Sequence, residues 1–163
     1  MDPATTAYLY LVSIAPTLEG RYAVVIALTL GVPSPYALAI AVAGVFTTSL
    51  LLPSLLPYID TIAAKLSGSR INTVSRLARA YLSYAQRARR RAHPYIEKYG
   101  VPGLIVFVAI PLPATGIWTG SLAAYLLGMN PHKTRIALVT GGLLSIAITY
   151  TLTSTAGGII SRI

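Results

Sequence analysis

Val108-Ala109-Ile110-Pro111-Leu112-Pro113-Ala114-Thr115-Gly116-Ile117-Trp118-Thr119-Gly120 lies in the middle of a stretch, residues 99–132, that contains no Asp, Glu, Lys or Arg. Its length suits a bilayer-crossing helix, which needs about 20 apolar residues. Pro111 and Pro113 oppose one, because each lacks a backbone N–H and its ring clashes with the preceding turn, and Thr115-Gly116 follows at once. The stretch is divided into 102–110 and 117–129. As helices these rise about 13 Å and about 20 Å, so neither crosses roughly 30 Å of hydrocarbon. A re-entrant hairpin over 101–130 is the expected form, with a Pro-Leu-Pro kink in a tilted helix as the plainer reading.

Working outward, residues 22–59 and 136–161 are also free of charged side chains. Of 163 residues 55% are hydrophobic and only 10% charged, against roughly 25% charged in an ordinary soluble domain. The mean hydropathy is +0.67. A water-soluble globule is excluded, and the chain reads as a single integral membrane domain, 1–163. Its start has no basic n-region followed by a small-residue cleavage signal, so it reads as retained.

The formal charge of +9 is concentrated: nine of the thirteen basic residues, Lys65, Arg70, Arg76, Arg79, Arg87, Arg89, Arg90, Arg91 and Lys98, fall between two apolar spans. Basic loops flanking spans belong on the cytoplasmic side, which places loop 58–100 in the cytoplasm of a multi-pass cell-membrane protein. No zinc, recognition-helix or RNA-stacking pattern accompanies these residues, so a nucleic-acid partner is not expected. Within the loop, Ile71, Val74, Ala78, Tyr81, Ala85, Ala88, Ala92 and Tyr95 recur at spacings of three and four. That stripe predicts an amphipathic helix over 66–98, with Ser69 available as a cap, lying on the anionic leaflet or holding a partner helix.

If 101–130 returns to the side it entered from, Lys133 and Arg135 are cytoplasmic too, and 136–160 is a transmembrane helix leaving Arg162 beyond it. The first half repeats this plan. Two apolar pieces, 4–17 and 22–30, are separated by Leu18-Glu19-Gly20-Arg21, and residues 36–57 form an uncharged span. The expected fold is all-α: an inverted repeat of two re-entrant hairpins, 1–30 and 101–130, each followed by a transmembrane helix, with the amphipathic helix between the halves. The natural site of such a repeat is where the two hairpin tips meet near the bilayer midplane.

Glu19 and Arg21 are the only charges between Asp2 and Asp60. Ionisable groups in an apolar context are costly and face a bundle interior or an aqueous cavity; the bland alternative is an interfacial helix with both in headgroup water. A direct Glu19–Arg21 pair requires a non-helical turn, which Gly20 permits. At the second tip Thr115 is a candidate N-cap, leaving free N–H groups near Gly116 and Ile117 that attract anions. Trp118, the only tryptophan, either lines the site or stands at an interface. Gly116, Gly120, Ala124 and Gly128 recur every fourth residue, as in close helix packing.

Other chemistries lack their residues. The chain has no cysteine, its two histidines are His93 and His132 at segment edges, and Asp2 and Asp60 lie at segment ends. Thiol, serine–histidine and intramembrane aspartyl catalysis are therefore not expected, and neither is a metal or a nucleotide cofactor. With two Met, two Asn and one Gln, the composition leans toward that of heat-adapted proteins.

The runs Leu18-Glu19-Gly20-Arg21 and Val108 to Gly120 resemble the small multidrug export family, over nearly the whole chain from about residue 18. That family looks distantly related to the DedA superfamily of membrane transporters, whose paired re-entrant hairpins carry an acidic residue and arginines and whose members are associated with polyprenyl phosphate carriers. The resemblance assigns Glu19 and Arg21 to the first hairpin, and Pro111, Pro113, Thr115, Gly116 and Trp118 to the second. Gly20, Tyr22, Val25 and Ala114 depart from the family pattern, and the arginines of the DedA second motif are missing from this tip. The combined expectation is a small transporter, coupled to protons or ions and homo-oligomeric. It moves an anionic amphiphile such as a lipid-linked phosphate, with Arg21, Thr115, Gly116, Ile117 and Trp118 binding, Glu19 exchanging the proton, and Gly20, Pro111 and Pro113 shaping the tips. The rivals are a proton-coupled exporter of cationic drugs and a non-transporting scaffold that gathers membrane lipid on its basic helix.

Overall fold

The computed structural model describes residues 2–69, 71–112 and 115–160. Among them the chain forms six helices and no strand: α1 (Pro3–Ile14), α2 (Glu19–Thr29), α3 (Ser34–Leu66), α4 (Asn72–Ala109), α5 (Ile117–Leu126) and α6 (Pro131–Ile160). Asp2 caps α1 by accepting from the Thr5 N–H at 3.3 Å, with Pro3 in the first turn where its missing N–H costs nothing. Pro16 ends that helix by forcing Ala15 into an extended conformation.

The second arm of each hairpin closes in the same way. After α2, Gly31 takes a φ of 74°, with Val32 N–H donating to Ala27 O and Gly31 N–H to Leu28 O. After α5, Gly128 takes a φ of 70°, with Met129 N–H donating to Ala124 O and Gly128 N–H to Tyr125 O. Both are Schellman closures, in which a left-handed residue lets two orphan carbonyls find donors. A proline follows each within three residues, and a long helix starts there.

The long helices α3 and α6 are each long and apolar enough to cross a bilayer. α3 runs beyond the expected 36–57 at both ends and carries Pro53 and Pro57 within it, and α6 begins at Pro131, before the expected 136. Their outward faces expose Tyr36, Phe46, Leu50, Leu51, Leu55 and Ile62 on α3, and Ile136, Leu144, Ile148 and Leu152 on α6. Apolar faces of that extent belong in lipid rather than water.

α1, α2 and α3 pack on one another, and so do α4, α5 and α6; across the halves α2 lies on α6, α5 on α3, and α3 on α6. The main core joins Val24, Val45, Leu104, Phe107, Val108, Ile117, Leu138 and Ile146. Small residues set the helix spacing: a Cβ on Gly120 would come within 2.6 Å of Val108 Cγ2, and one on Gly141 within 2.8 Å of the Ile105 carbonyl.

The basic segment departs from expectation. Ser69 does not cap it: α4 starts at Asn72 behind Ile71, without a side-chain cap, while Ser69 Oγ accepts from the Ile71 N–H. α4 continues through the expected boundary to Ala109, broken only at Gly100, whose φ of 59° and ψ of −126° are non-helical. There it folds back. The rings of Tyr95 and Phe107, which a straight helix would hold about 18 Å apart, lie 5.9 Å apart. Gly103 abuts the Tyr95 carbonyl with no room for a side chain. The alanine stripe therefore faces protein: Ala85 and Ala88 are buried against Leu56 of α3 and Leu122 of α5, and the Tyr84 and Thr119 hydroxyls share a hydrogen bond of 2.9 Å. The exposed face of this arm carries its arginines together with Leu77 and Tyr99.

Candidate functional site

The two hairpin tips meet. The first is not a loop at Leu18-Glu19-Gly20-Arg21, as expected, but a turn over residues 15–18, after which Glu19, Gly20 and Arg21 form the first turn of α2. Gly20 does not provide the bend. It sits in the helix because a Cβ there would come within 2.8 Å of the Ala41 carbonyl. The left-handed conformations fall instead on Thr17, φ 73°, and Glu19, φ 59°. A non-glycine residue pays for such a φ with about 1–3 kcal/mol, so surrounding contacts must hold it.

Those contacts come from the second tip. Glu19 Oε2 accepts the Ile117 N–H and Oε1 the Trp118 N–H, both at 3.1 Å. The first donors of α5 are therefore occupied by a carboxylate from the other hairpin rather than left free, as the sequence had implied. Negative charge at a helix N-terminus is favoured by the helix dipole as well as by hydrogen bonding. Thr115 is not the N-cap: that position is Gly116, with φ 124°. The Thr115 hydroxyl lies 2.7 Å from both the Ile110 and the Leu112 carbonyls, which Pro111 and the broken helix leave available. A Cβ on Gly116 would occupy the place of the Glu19 carboxylate, so glycine here serves both the backbone and the approach.

Arg21 balances the charge. Glu19 and Arg21 are each 4% exposed, and a guanidinium nitrogen stands 3.9 Å from Glu19 Oε2. The same group donates to Thr115 O, to Thr115 Oγ1 at 3.3 Å and to Ile110 O at 3.4 Å. Its Nε is buried without a partner among the described residues. Trp118 completes the junction by donating its indole N–H to the Ile14 carbonyl, 3.0 Å away at the end of α1.

The expected residues Glu19, Arg21, Thr115, Gly116, Ile117 and Trp118 are thus brought together. Pro111 stands at the break before them, and Pro113 lies outside the described residues. Sequence reasoning missed the carbonyls of Ile14 and Ile110, since backbone acceptors carry no residue signature. It also missed Arg91, which the fold-back of α4 brings to a cavity beside Thr115. Among the described residues no group of three His, Asp or Glu side chains gathers to hold a metal.

No curated protein and no solved structure matches the chain. Residues 19–148, which run from Glu19 through both tips and most of α6, match the family model described as "Putative small multi-drug export protein". The chain is a membrane protein that belongs to that small multi-drug export family.

Proposed function

We propose that the chain is a transporter whose two hairpins enter the membrane from opposite faces, with the Glu19–Arg21–α5 junction as the closed form of its substrate site. The opposed-hairpin arrangement, and with it a distant kinship to DedA transporters, is supported by the matching helix contacts within the halves and by the paired closures at Gly31 and Gly128. Loop 58–100 is cytoplasmic in this arrangement, on the strength of its arginines.

One observation carries the substrate reading: a carboxylate already fills the α5 N-terminus, with an arginine beside it. Glu19 acts as a resident stand-in for the head of an anionic amphiphile. The buried pair is neutral as it stands. An arriving monoanion that displaces Glu19 adds one negative charge to a dry site, which is strongly disfavoured unless Glu19 takes up a proton. Anion and proton therefore bind together, which couples their movement. A cation arriving at Glu19 would instead leave two positive charges with one negative.

Proteoliposomes with a trapped pH-sensitive dye and an imposed dodecyl phosphate gradient test this reading, with protein-free vesicles as the blank. Proton movement is expected with the native chain and absent in Glu19→Gln; undiminished movement in Glu19→Gln overturns it. The family description names multi-drug export, and the rival reading is that the cargo is a cationic drug. Arg21→Ala separates the two, improving binding of tetraphenylphosphonium if the rival holds and weakening binding of dodecyl phosphate if the first reading does.

A further inference from the structure

The fold-back at Gly100 creates a feature that the tip chemistry does not use. Between the basic arm of α4 and the second tip lies a cavity of about 250 Å³, walled by Tyr95, Phe107, Ile110 and Leu112 with Thr115 beside them. A second, of about 150 Å³, is lined by Tyr84, Arg87, Ala88 and Thr119. Arg91 lines both. The two spaces differ in chemistry: the larger is aromatic and aliphatic, and the smaller holds two guanidinium groups and two hydroxyls. No acidic side chain lines either one. Of the four acidic residues in the chain, Glu19 is engaged at the tip, Glu97 lies 3.0 Å from His93, Asp2 caps the start of α1 and Asp60 stands on α3. Among the described residues Arg87 and Arg91 have no carboxylate partner.

The geometry points to a docking seat for a single-chain anionic amphiphile, its phosphate or carboxylate head on Arg87 and Arg91 in the smaller cavity and the start of its alkyl chain among Phe107, Ile110 and Leu112 in the larger. The inference rests on the transport reading in treating the seat as the station next to the tip. Three features select this occupant. Arg87 donates its Nε–H to the Ser83 carbonyl at 3.2 Å; the remaining guanidinium N–H groups of Arg87 and Arg91, without a carboxylate, suit an anion, and guanidinium is the side chain best shaped to hold phosphate or carboxylate. The adjoining apolar wall calls for hydrocarbon. The volume sets the size: about 250 Å³ equals roughly eight waters at about 30 Å³ each, room for one chain's first segment but not for a two-chain lipid. Leu112 is exposed and leaves the chain a way out into the bilayer. The seat adjoins Thr115, whose carbonyl and hydroxyl Arg21 grips, so a head group passing from Arg91 to Arg21 moves past one threonine.

Trp118 is the only tryptophan and lies next to Thr119 and three residues from Thr115, which line the two cavities, so its fluorescence serves as the readout. The purified chain in dodecyl maltoside is titrated with dodecyl phosphate, dodecyltrimethylammonium and inorganic phosphate. A saturable response to dodecyl phosphate is expected, at least tenfold weaker for inorganic phosphate and absent for the cation. Arg91→Gln is expected to weaken it at least tenfold and Leu112→Gln severalfold, while Arg89→Gln, which removes the same charge from an equally exposed position that lines neither cavity, leaves it unchanged. Equal losses in Arg89→Gln and Arg91→Gln would mean diffuse attraction to the basic arm and would overturn the proposal, as would undiminished binding in Arg91→Gln. Arg91→Lys, which keeps the charge, guards against a folding defect and should retain most of the affinity. Competition by phosphatidylglycerol in nanodiscs as strong as that by dodecyl phosphate would assign the seat to bulk lipid and also overturn it. The titration is repeated in Glu19→Gln: Arg91-dependent binding that persists while proton coupling is intact in that variant means the tip reading has failed and the seat stands.

Discussion

Glu19 is the amino-terminal cap of a helix ninety-eight residues further along the chain, its carboxylate accepting the N–H of Ile117 from the opposite hairpin. A cap normally comes from the residue just before its helix. Here the residue before α5 is Gly116, which has no side chain to offer, so α5 begins properly only when the two halves are assembled. The same carboxylate is held in a left-handed backbone by that contact and neutralised by Arg21. Assembly of the halves, order at the tip and burial of charge are thus one event.

Gly116→Ala is expected to be among the most damaging single-methyl additions in the chain. The φ of 124° with ψ of −169° is a region open essentially to glycine, costing about 1–3 kcal/mol for other residues, and the new Cβ would displace the Glu19 carboxylate. Gly128→Ala is the matched control. It has a positive φ of 70° but nothing within 4 Å of its Cβ, so it should cost about 1 kcal/mol. Thermal unfolding in detergent checks this: equal shifts for the two would mean that Glu19 does not press on Gly116.

Glu19→Ala and Arg21→Ala are each expected to destabilise the fold by about 3–5 kcal/mol, because each leaves its partner charged and buried. The double variant should lose less than the sum, with a coupling of about 1–3 kcal/mol. Glu19→Ala should be the worse single change, since it also strips two helix donors of their acceptor. Denaturant unfolding of the three variants provides the cycle. Strict additivity would show that the 3.9 Å pair carries no energy.

Much of this architecture was readable before any coordinates. The uncharged runs mark α3 and α6, Pro111 breaks the second hairpin where a helix is forbidden, and two charges in an apolar context single out Glu19 and Arg21. What escaped reading had two physical causes. A glycine looks like a hinge in sequence, yet Gly20 is small because Ala41 passes against it, while the strained backbone falls on Glu19, held by contacts about a hundred residues away. An alanine stripe states that something covers it but not what. Only the fold-back at Gly100 decides that Leu56 and Leu122, rather than lipid headgroups, cover Ala85 and Ala88.

Gly103→Ala should loosen the basic arm. Its Cβ would collide with the Tyr95 carbonyl, a backbone atom that no rotamer change can move, and forced overpacking of this kind costs about 1–3 kcal/mol. The two arms of α4 would separate, and the arginines from Arg87 to Arg91 would leave the folded helix more often. Protease cleavage requires such local opening, so trypsin is expected to cut there at least fivefold faster than in the native chain. Gly68→Ala, whose Cβ would meet nothing nearer than the Lys65 carbonyl at 4.0 Å, should leave the rate unchanged; so would Gly103→Ala if the arms did not touch.

The proposed opposition of the hairpins makes a labelling prediction that the absence of native cysteine renders clean. Thr29, Ser83 and His132 are exposed, and replacing each singly with cysteine leaves every Lys and Arg, and hence the orienting signal, in place. Ser83→Cys on the basic arm and His132→Cys after the second hairpin should react with a membrane-impermeant maleimide from the same face. Thr29→Cys, at the end of the first hairpin, should react only from the other. Reaction of His132→Cys from the face of Thr29→Cys would mean that residues 101–130 cross the bilayer outright. The Glu19–Ile117 contact would then join two crossing segments rather than two hairpin tips, and the transport proposed through it would lose its mechanical basis.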